Sequence, residues 1–471
     1  MAQPCIGIDF GTTNSSAAAA EADAVRVLEL DPANDNPASL PSLLYITAEG
    51  DALAGREAAD AYIARNVGRE VELKQVDLGL DIESYVGGEP DKSESYRPPQ
   101  DPSAAVREAV RAKATVEVNS PGRLFQSLKS SLRLKGFKGT DVFGRHYQIE
   151  ELTALLLRAI KERIDAHTGA DVETAVFGRP VRFSDRPDED ALAERRLQTA
   201  AELAGFKNVV FFYEPVAACV EYAIAMDRRQ RLMVVDIGGG TCDVCVMEFG
   251  GAAGAAERLA ESQILGVSGV PVAGDVIDRE IMRAKLFPYF GSRSRYGPSK
   301  LPMPQYVYAA LADWQSLYKL NTEEIMNWLI ASEMSSDQPE AIRRLRTLIQ
   351  KNYGYPLARK VEQAKKTLSY EEQARIELEE EGLDLHVDLE RPEFAHIIEH
   401  TLDEMRHSIE EAEKAAEIRP EDIDLVLTTG GTSLVPAVRK MLEDRYGAER
   451  LLQRDTFVSV ASGLAVVAQY V

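Results

Sequence analysis

Residues 230–245 read QRLMVVDIGGGTCDVC. An apolar run from Leu232 to Val235 ends in Asp236, and Ile237 then gives way to Gly238, Gly239 and Gly240. Thr241 follows, and a second acid, Asp243, stands at the start of the next apolar stretch. The chain does this twice. Cys5 to Asp9 (CIGID) is another apolar run with an acid at its end, followed by Phe10, Gly11, Thr12, Thr13, Asn14, Ser15 and Ser16. Both stretches read as strand, aspartate, glycine turn, hydroxyl residue, strand. Glycine lets backbone N–H groups close on an anion, and threonine adds a donor. A carboxylate at the strand end would repel phosphate unless a divalent cation or its waters stood between them. Two such hairpins facing each other predict a grip on a polyphosphate, with Mg2+ between Asp9 and Asp236. Two ordinary tight hairpins are the simpler reading, and the repeated acid argues against it. The Walker P-loop and G-x-G-x-x-G patterns are both missing.

A third glycine element, Thr428 to Pro436 (TTGGTSLVP), also follows an apolar strand and precedes a helix. As the third of its kind it points to a close backbone approach to a nucleoside. The strands and helices around these turns alternate in two batches. Helical periodicity marks residues 149–164, 191–204, 215–225, 357–369, 392–418 and 436–446. Strand patterns mark 209–213 and 425–428, and a hairpin spans 374–378 and 383–389. This predicts an α/β protein of two lobes.

The 471 residues suit roughly two to four domains. A 45% hydrophobic and 28% charged composition fits a soluble globular chain. The net charge of -22 argues against nucleic acid and against an anionic membrane surface. The start, MAQPCIGIDFG, carries no basic leader and no export stretch, so a cytoplasmic location is expected. Phe457 to Val471 is too short to span a bilayer and reads as a buried helix. Cys5, Cys219, Cys242 and Cys245 read as reduced thiols. Cys242 and Cys245 spell C-x-x-C, but three residues apart on a strand they point to opposite faces, so a shared metal is disfavoured. Residues 1–73 read as short strands with turns. Val76 to Asp101 is acidic, Gly/Pro-rich and weakly periodic, and reads as a surface insertion of disorder-prone composition.

Asp9 to Ser15, Asp236 to Asp243 and Gly430 to Pro436 resemble the phosphate-1, phosphate-2 and adenosine motifs of the actin-like ATPase superfamily. Within it, Phe212 to Tyr222, Gly266 to Asp278 and Glu362 to Ser369 resemble segments of the DnaK-type 70-kDa heat-shock chaperones. The likeness runs from Ile6 to Gly463 with insertions, and is nearest to short YegD-like members that stop after the ATPase region. The fold implied is a two-lobed actin-like ATPase built on duplicated ribonuclease H-like domains with helical insertions. Its implied division is 1–210 as lobe I (insertion about 74–121), 211–425 as lobe II (insertion about 286–341), and 426–471 as the adenosine segment and a closing helix returning to lobe I.

The same resemblance implies ATP or ADP as ligand. Asp9 and Asp236 would hold hydrated Mg2+. Gly11, Thr12, Thr13, Asn14, Gly238, Gly239, Gly240 and Thr241 would line the phosphates, and Gly274, Glu362, Lys365, Lys366, Ser369, Gly430, Gly431 and Thr432 the adenosine side. Lys129, Glu214, Asp236 and Thr241 would carry hydrolysis, with Glu214 orienting water. Pro180 would relay nucleotide state. The expected function is a slow Mg-dependent ATPase acting as a chaperone-like switch on a protein partner, with co-chaperone or exchange-factor binding open. It would lack the clamp that holds extended peptides.

Two departures bear on affinity. Lys366 and Leu434 stand where the family has arginines beside the nucleoside. Alternatives therefore remain: a nucleotide-sensing scaffold with little hydrolysis, or a small-molecule kinase of the same superfamily. His396-Ile397-Ile398-Glu399-His400 spells H-x-x-E-H, an inverted zinc-protease pattern. Its histidines fall off the apolar stripe of their helix, so a solvated face is the expected reading.

Overall fold

The computed structural model describes residues 5–21, 24–86, 106–184, 186–225, 228–250, 261–453 and 459–470. Its first large sheet comprises β1 (Cys5–Phe10), β2 (Asn14–Glu21), β3 (Ala24–Val27), β4 (Thr174–Arg179) and β5 (Asn208–Tyr213). They lie in the order β5-β4-β1-β2-β3, with Leu40–Pro41 as a short extra strand on β2. The second sheet comprises β6 (Gln230–Ile237), β7 (Cys242–Phe249), β8 (Gln263–Val270), β9 (Leu425–Thr429) and β10 (Leu451–Gln453). Their order is β8-β7-β6-β9-β10. In each sheet the first three strands form an antiparallel meander, and the last two add in parallel on the other side of the first strand. One topology is thus present twice, and each copy places its first strand at the centre.

In lobe I, α1 (Arg56–Asn66) and the single turn α2 (Leu128–Ser131) flank the sheet, while α3 (Ile149–Thr168) and α4 (Pro187–Ala204) cover it. α4 is the crossover that parallel β4 and β5 require. Ile6, Ile8 and Phe10 of β1 share a core with Leu156, Ile160 and Leu197 of these helices. Next comes α5 (Glu214–Ala225), and in lobe II α6 (Gly274–Ile281) and α7 (Gly354–Leu368). The last helix, α8 (Ser459–Val467), is buried throughout. Val176 of β4, Leu232 and Val234 of β6, Val220 of α5 and Leu464 of α8 form one core, so α5 and α8 join the two sheets. The helices cross where Gly463 has no side chain: a Cβ there would overlap the Ala217 carbonyl oxygen.

Cys242 enters the lobe II core and Cys245 the α5–α8 core, so the C-x-x-C pair faces opposite ways and all four cysteines are free. Among the described residues no helix is long and apolar enough to cross a membrane.

Three local readings are corrected. Residues 1–73 contain α1 as well as strands. The weakly periodic reading of 76–101 fails where it is described: Leu73–Val86 is a strand paired antiparallel with Val106–Glu117, and 87–105 lie outside the described residues. The signal was present, since Val76, Leu78, Leu80, Ile82 and Val86 alternate. The helix expected over 392–418 is two helices, Arg391–Ile397 and Glu399–Ala415, broken at Ile398. Ile398 is itself fully buried, so packing of the break into the core outweighs helical continuity.

Candidate functional site

The β1–β2 and β6–β7 turns face each other across the lobes. A Cβ on Gly239 would overlap Thr13 Oγ1, and one on Gly240 would lie 3.2 Å from the Thr12 side chain. Thr13 Oγ1 is buried with no hydrogen-bond partner, a donor free for another group. Gly11 sits in the tight first turn, where its carbonyl accepts from Ser42 Oγ at 2.8 Å, and Asn14 opens β2.

Acids gather behind the turns. Antiparallel register places Asp236 directly opposite Asp243. Lys129 on α2 donates from Nζ to Glu214 Oε1 at 2.7 Å, and both residues are buried. Glu214 is the first residue of α5, where a carboxylate also complements the helix N-terminus. Asp9 and Asp236 keep partial solvent access, yet loss of water dominates their ionisation. Burial, with Glu214 and Asp236 adding and Lys129 opposing, pushes Asp9 up to about 8. Burial, then Glu214 and Asp243, pushes Asp236 up to about 8 against Lys129. Burial also lifts Asp243 to about 7, although Thr241 donates to it. Burial works against the Lys129 ammonium, but Glu214, Asp9 and Asp243 together hold its pKa above the ordinary value. Four acids facing one lysine form an oxygen donor set that fits a hydrated divalent cation. Thr12, Lys129, Arg133, Pro180, Thr241 and Asp243 line a pocket that continues from the turns.

The other side of the turns belongs to lobe II. The backbone N–H groups of Gly274 and Asp275, at the start of α6, donate to the carbonyls of Gly238 (3.2 Å) and Gly239 (2.7 Å). Thr432 Oγ1 donates to the same Gly238 carbonyl at 2.7 Å. Gly430 holds a φ of 79°, and a Cβ there would overlap the Ile237 carbonyl. Gly431 opens the short turn that positions Thr432. On α7, Lys365 Nζ donates to the Gly274 carbonyl at 3.2 Å and to Asp278 Oδ2 at 2.8 Å. Glu362 pairs with Lys366 at 2.7 Å and Arg359 at 3.2 Å. Ser369 ends the helix, half-buried. The structure therefore brings the sequence-chosen residues into two adjoining groups: acids, Lys129 and threonines on one side, α6, α7 and the Gly430 turn on the other.

Sequence reading left Asp243, Asp278 and Arg133 out of the site. For Asp243 the register supplied a signal, because the four-residue turn Gly238 to Thr241, flanked by the Ile237–Cys242 pair, sets the two acids opposite each other. Asp278 and Arg133 come in through tertiary packing alone. His396, His400 and His407 are exposed and pair with Glu399, Glu404 and Glu411 on their own surface, as a solvated face would.

Known proteins resemble the chain over most of its length. The family model described as "Hsp70 protein" matches residues 121–263 and 325–470, more than half of the chain. A "Chaperone protein dnaK" of Emiliania huxleyi is 24% identical over 469 residues, covering 98% of this chain and 59% of that protein. "Heat shock 70 kDa protein BIP3" of Oryza sativa subsp. japonica is 26% identical over 473 residues, covering 99% and 56%. A "Chaperone protein DnaK" of Thermosipho melanesiensis is 24% identical over 406 residues, covering 83% and 58%. The chain thus spans less than two thirds of the length of these relatives. With its sheets duplicated, its glycine turns facing and most of its length matched, the chain belongs to the Hsp70 family.

Proposed function

We propose that the facing turns bind Mg2+-ATP and that the chain is a slow ATPase whose lobes change their relation with nucleotide state. The observation that carries this is the buried Lys129–Glu214 pair beneath two opposed glycine turns. In this reading the backbone of Gly11, Gly238, Gly239 and Gly240 and the hydroxyls of Thr12, Thr13 and Thr241 take the phosphates, with Asn14 supporting the first turn. Asp9 and Asp236 would hold Mg2+ through its waters, and the ion would supply charge neutralisation at the phosphates. Glu214 orients the attacking water. Lys129 meets the charge that develops on the γ-phosphoryl group. Glu362, Lys365, Lys366 and Ser369 face the nucleoside from α7, with Gly274, Gly430, Gly431 and Thr432 backing it. Pro180, on the shared pocket, relays the state of the site to the surface of lobe I.

The lobe division at 1–210, 211–425 and 426–471 belongs to the same reading, as do a cytoplasmic location and a protein partner. So does a chaperone-like role in which lobe movement changes the surface this chain offers to a protein partner. Lys366 favours one second reading, a nucleotide sensor with little turnover, because a lysine stacks on a base less well than an arginine.

Single-turnover hydrolysis separates the two. Glu214→Gln should slow the chemical step about a hundredfold, the size of a lost proton-handling or positioning group, and leave ATP affinity nearly intact. An unchanged rate in this variant removes Glu214 from the chemistry. No turnover in the parent leaves the sensor reading.

A further inference from the structure

The hairpin of Gln373–Glu380 and Leu383–Glu390 has two unlike faces. Side chains alternate along a strand. Ala374, Ile376, Leu378, Leu383, Leu385 and Leu389 are buried in the lobe II core. The other face is exposed, and the register sets Arg375 opposite Asp388, Glu377 opposite His386, and Glu379 opposite Asp384. The first is an ordinary ion pair, with Arg375 Nε 2.6 Å from Asp388 Oδ1. The third sets two acids against each other, which destabilises a strand pair.

His386 stands among these acids. Its Nδ1 lies 3.1 Å from Glu377 Oε1, and its Nε2 lies 2.7 Å from Asp384 Oδ1 and 3.6 Å from Glu379 Oε1. Among the described residues no lysine or arginine pairs with Glu377, Glu379 or Asp384. Arg375 is taken by Asp388, and Lys351 Nζ lies 3.8 Å from Glu381 at the turn. One ligand atom each from Glu377, Glu379 and His386 falls within 4.8 Å of the other two. The histidines of the solvated helix face differ. His396, His400 and His407 each meet one acid at 3.4–3.5 Å and are 70–87% exposed, whereas His386 meets three acids and is 38% exposed.

The tip of the hairpin is held in place. Tyr289 Oη donates to the Asp384 carbonyl at 2.6 Å, and Tyr353 Oη donates to the Glu381 carbonyl at 3.2 Å. Gly382, with a φ of 78°, closes the two-residue turn. The backbone under the four side chains is therefore fixed. Rotation of the glutamates alone has to bring the ligand atoms from 4.8 Å to about 3.4 Å apart, the spacing that zinc bonds of about 2.1 Å require in a tetrahedron.

The donor set selects the ion. Asp384 on Nε2 holds the ring proton there and leaves the Nδ1 lone pair beside Glu377, the arrangement in which a carboxylate orients a metal-binding histidine. Carboxylates alone suit Ca2+ or Mg2+, but an imidazole between two carboxylates suits zinc.

We propose that Glu377, Glu379 and His386 bind a divalent ion of the zinc class, that Asp384 fixes the imidazole, and that the ion clamps the two strands together. The site shares no residue with the facing turns and stands independently of the nucleotide reading.

The test uses the full chain, free of any affinity tag and stripped with a chelator, in excess Mg2+ to compete at the acids of the facing turns. Zinc affinity is measured by competition with a chromophoric zinc indicator. Amide exchange locates the ion. The parent should bind one Zn2+, and exchange across Gln373–Glu390 should slow when it does. His386→Ala should weaken binding about a hundredfold or more and abolish that protection, and Glu379→Gln and Asp384→Asn should each weaken it about tenfold or more. His400→Ala, on the solvated helix face, should bind as the parent does. Circular dichroism melts confirm that each variant folds, and three separate positions guard against failure of one.

Equal affinity in the parent and His386→Ala, or no zinc binding by the folded parent, would overturn the proposal. So would an equal loss in His400→Ala, which would mean scattered surface binding. Equal protection of the hairpin by Mg2+ alone would reduce the site to an acid patch and overturn it as well.

Discussion

Replacing Lys129 by methionine should destabilise the protein far more than replacing its partner Glu214 by glutamine. The two side chains are 2.7 Å apart and each is 9% exposed, so solvent screens the pair little. An isolated buried pair would suffer about equally from loss of either member, at about 3–5 kcal/mol. Here the surroundings are not symmetric. Lys129 faces Asp9 and Asp243 as well as Glu214. Lys129→Met leaves four acids around one recess without their cation, and the cost should be about 3 kcal/mol or more, limited by proton uptake. Glu214→Gln removes one charge from an acid excess and leaves Lys129 with its other carboxylates, so the change should stay within about 1 kcal/mol. Urea unfolding of the nucleotide-free protein at pH 7.5, followed by circular dichroism, reads both. Equal losses, or a larger loss for Glu214→Gln, would refute the idea of one lysine shared by four acids.

Two further predictions concern α7 and the long insertion. The Lys366 side chain is 54% exposed and rests on Glu362. Lys366→Arg keeps that pair and adds a planar face for the base, so calorimetric ATP affinity should rise about three- to tenfold; an unchanged affinity would mean that residue 366 does not face the base. Partial burial raises the Glu333 carboxyl, but hydrogen bonds from Arg343 and Arg346 more than offset it and hold it below the ordinary value. A depressed folded value stabilises fully above the unfolded carboxylate value of about 4.3 and fades as pH falls through the folded value. Amide exchange in Glu323–Ser335 and Pro339–Gln350, corrected for intrinsic rates, should therefore accelerate below about pH 4, and Glu333→Gln should flatten that dependence. An equal dependence in the variant would assign it to other groups.

The two turns were legible because the sequence repeats one pattern, and the repeat is physical: each sheet begins with a central strand whose next-to-last residue is an acid. Helix Pro436–Tyr446 and the hairpin of Gln373–Glu380 with Leu383–Glu390 were legible from sharp periodicity between turn residues. The strand Leu73–Val86 was obscured by glycine and acids placed among its alternating apolar positions. Helix α1 was obscured for another reason. Its buried side is made of Ala58, Ala59, Tyr62 and Asn66, too mixed to form an apolar stripe. The tie of Lys129 to Glu214 spans 85 positions, and a cluster of rings joins Tyr62 to Trp314 and Tyr355. Such pairings depend on how two lobes meet, which no local pattern encodes.

The central claim is that Asp9, Asp236 and the two turns together take a metal-bound nucleotide. Titration calorimetry with ATP and Mg2+, with ATP in EDTA, and with ATP and Mg2+ on a folded Asp236→Asn variant tests it directly. Saturable one-to-one binding is expected in the first case, and affinity lower by about tenfold or more in the other two. Binding of equal strength in all three, or none by the folded parent, would contradict it.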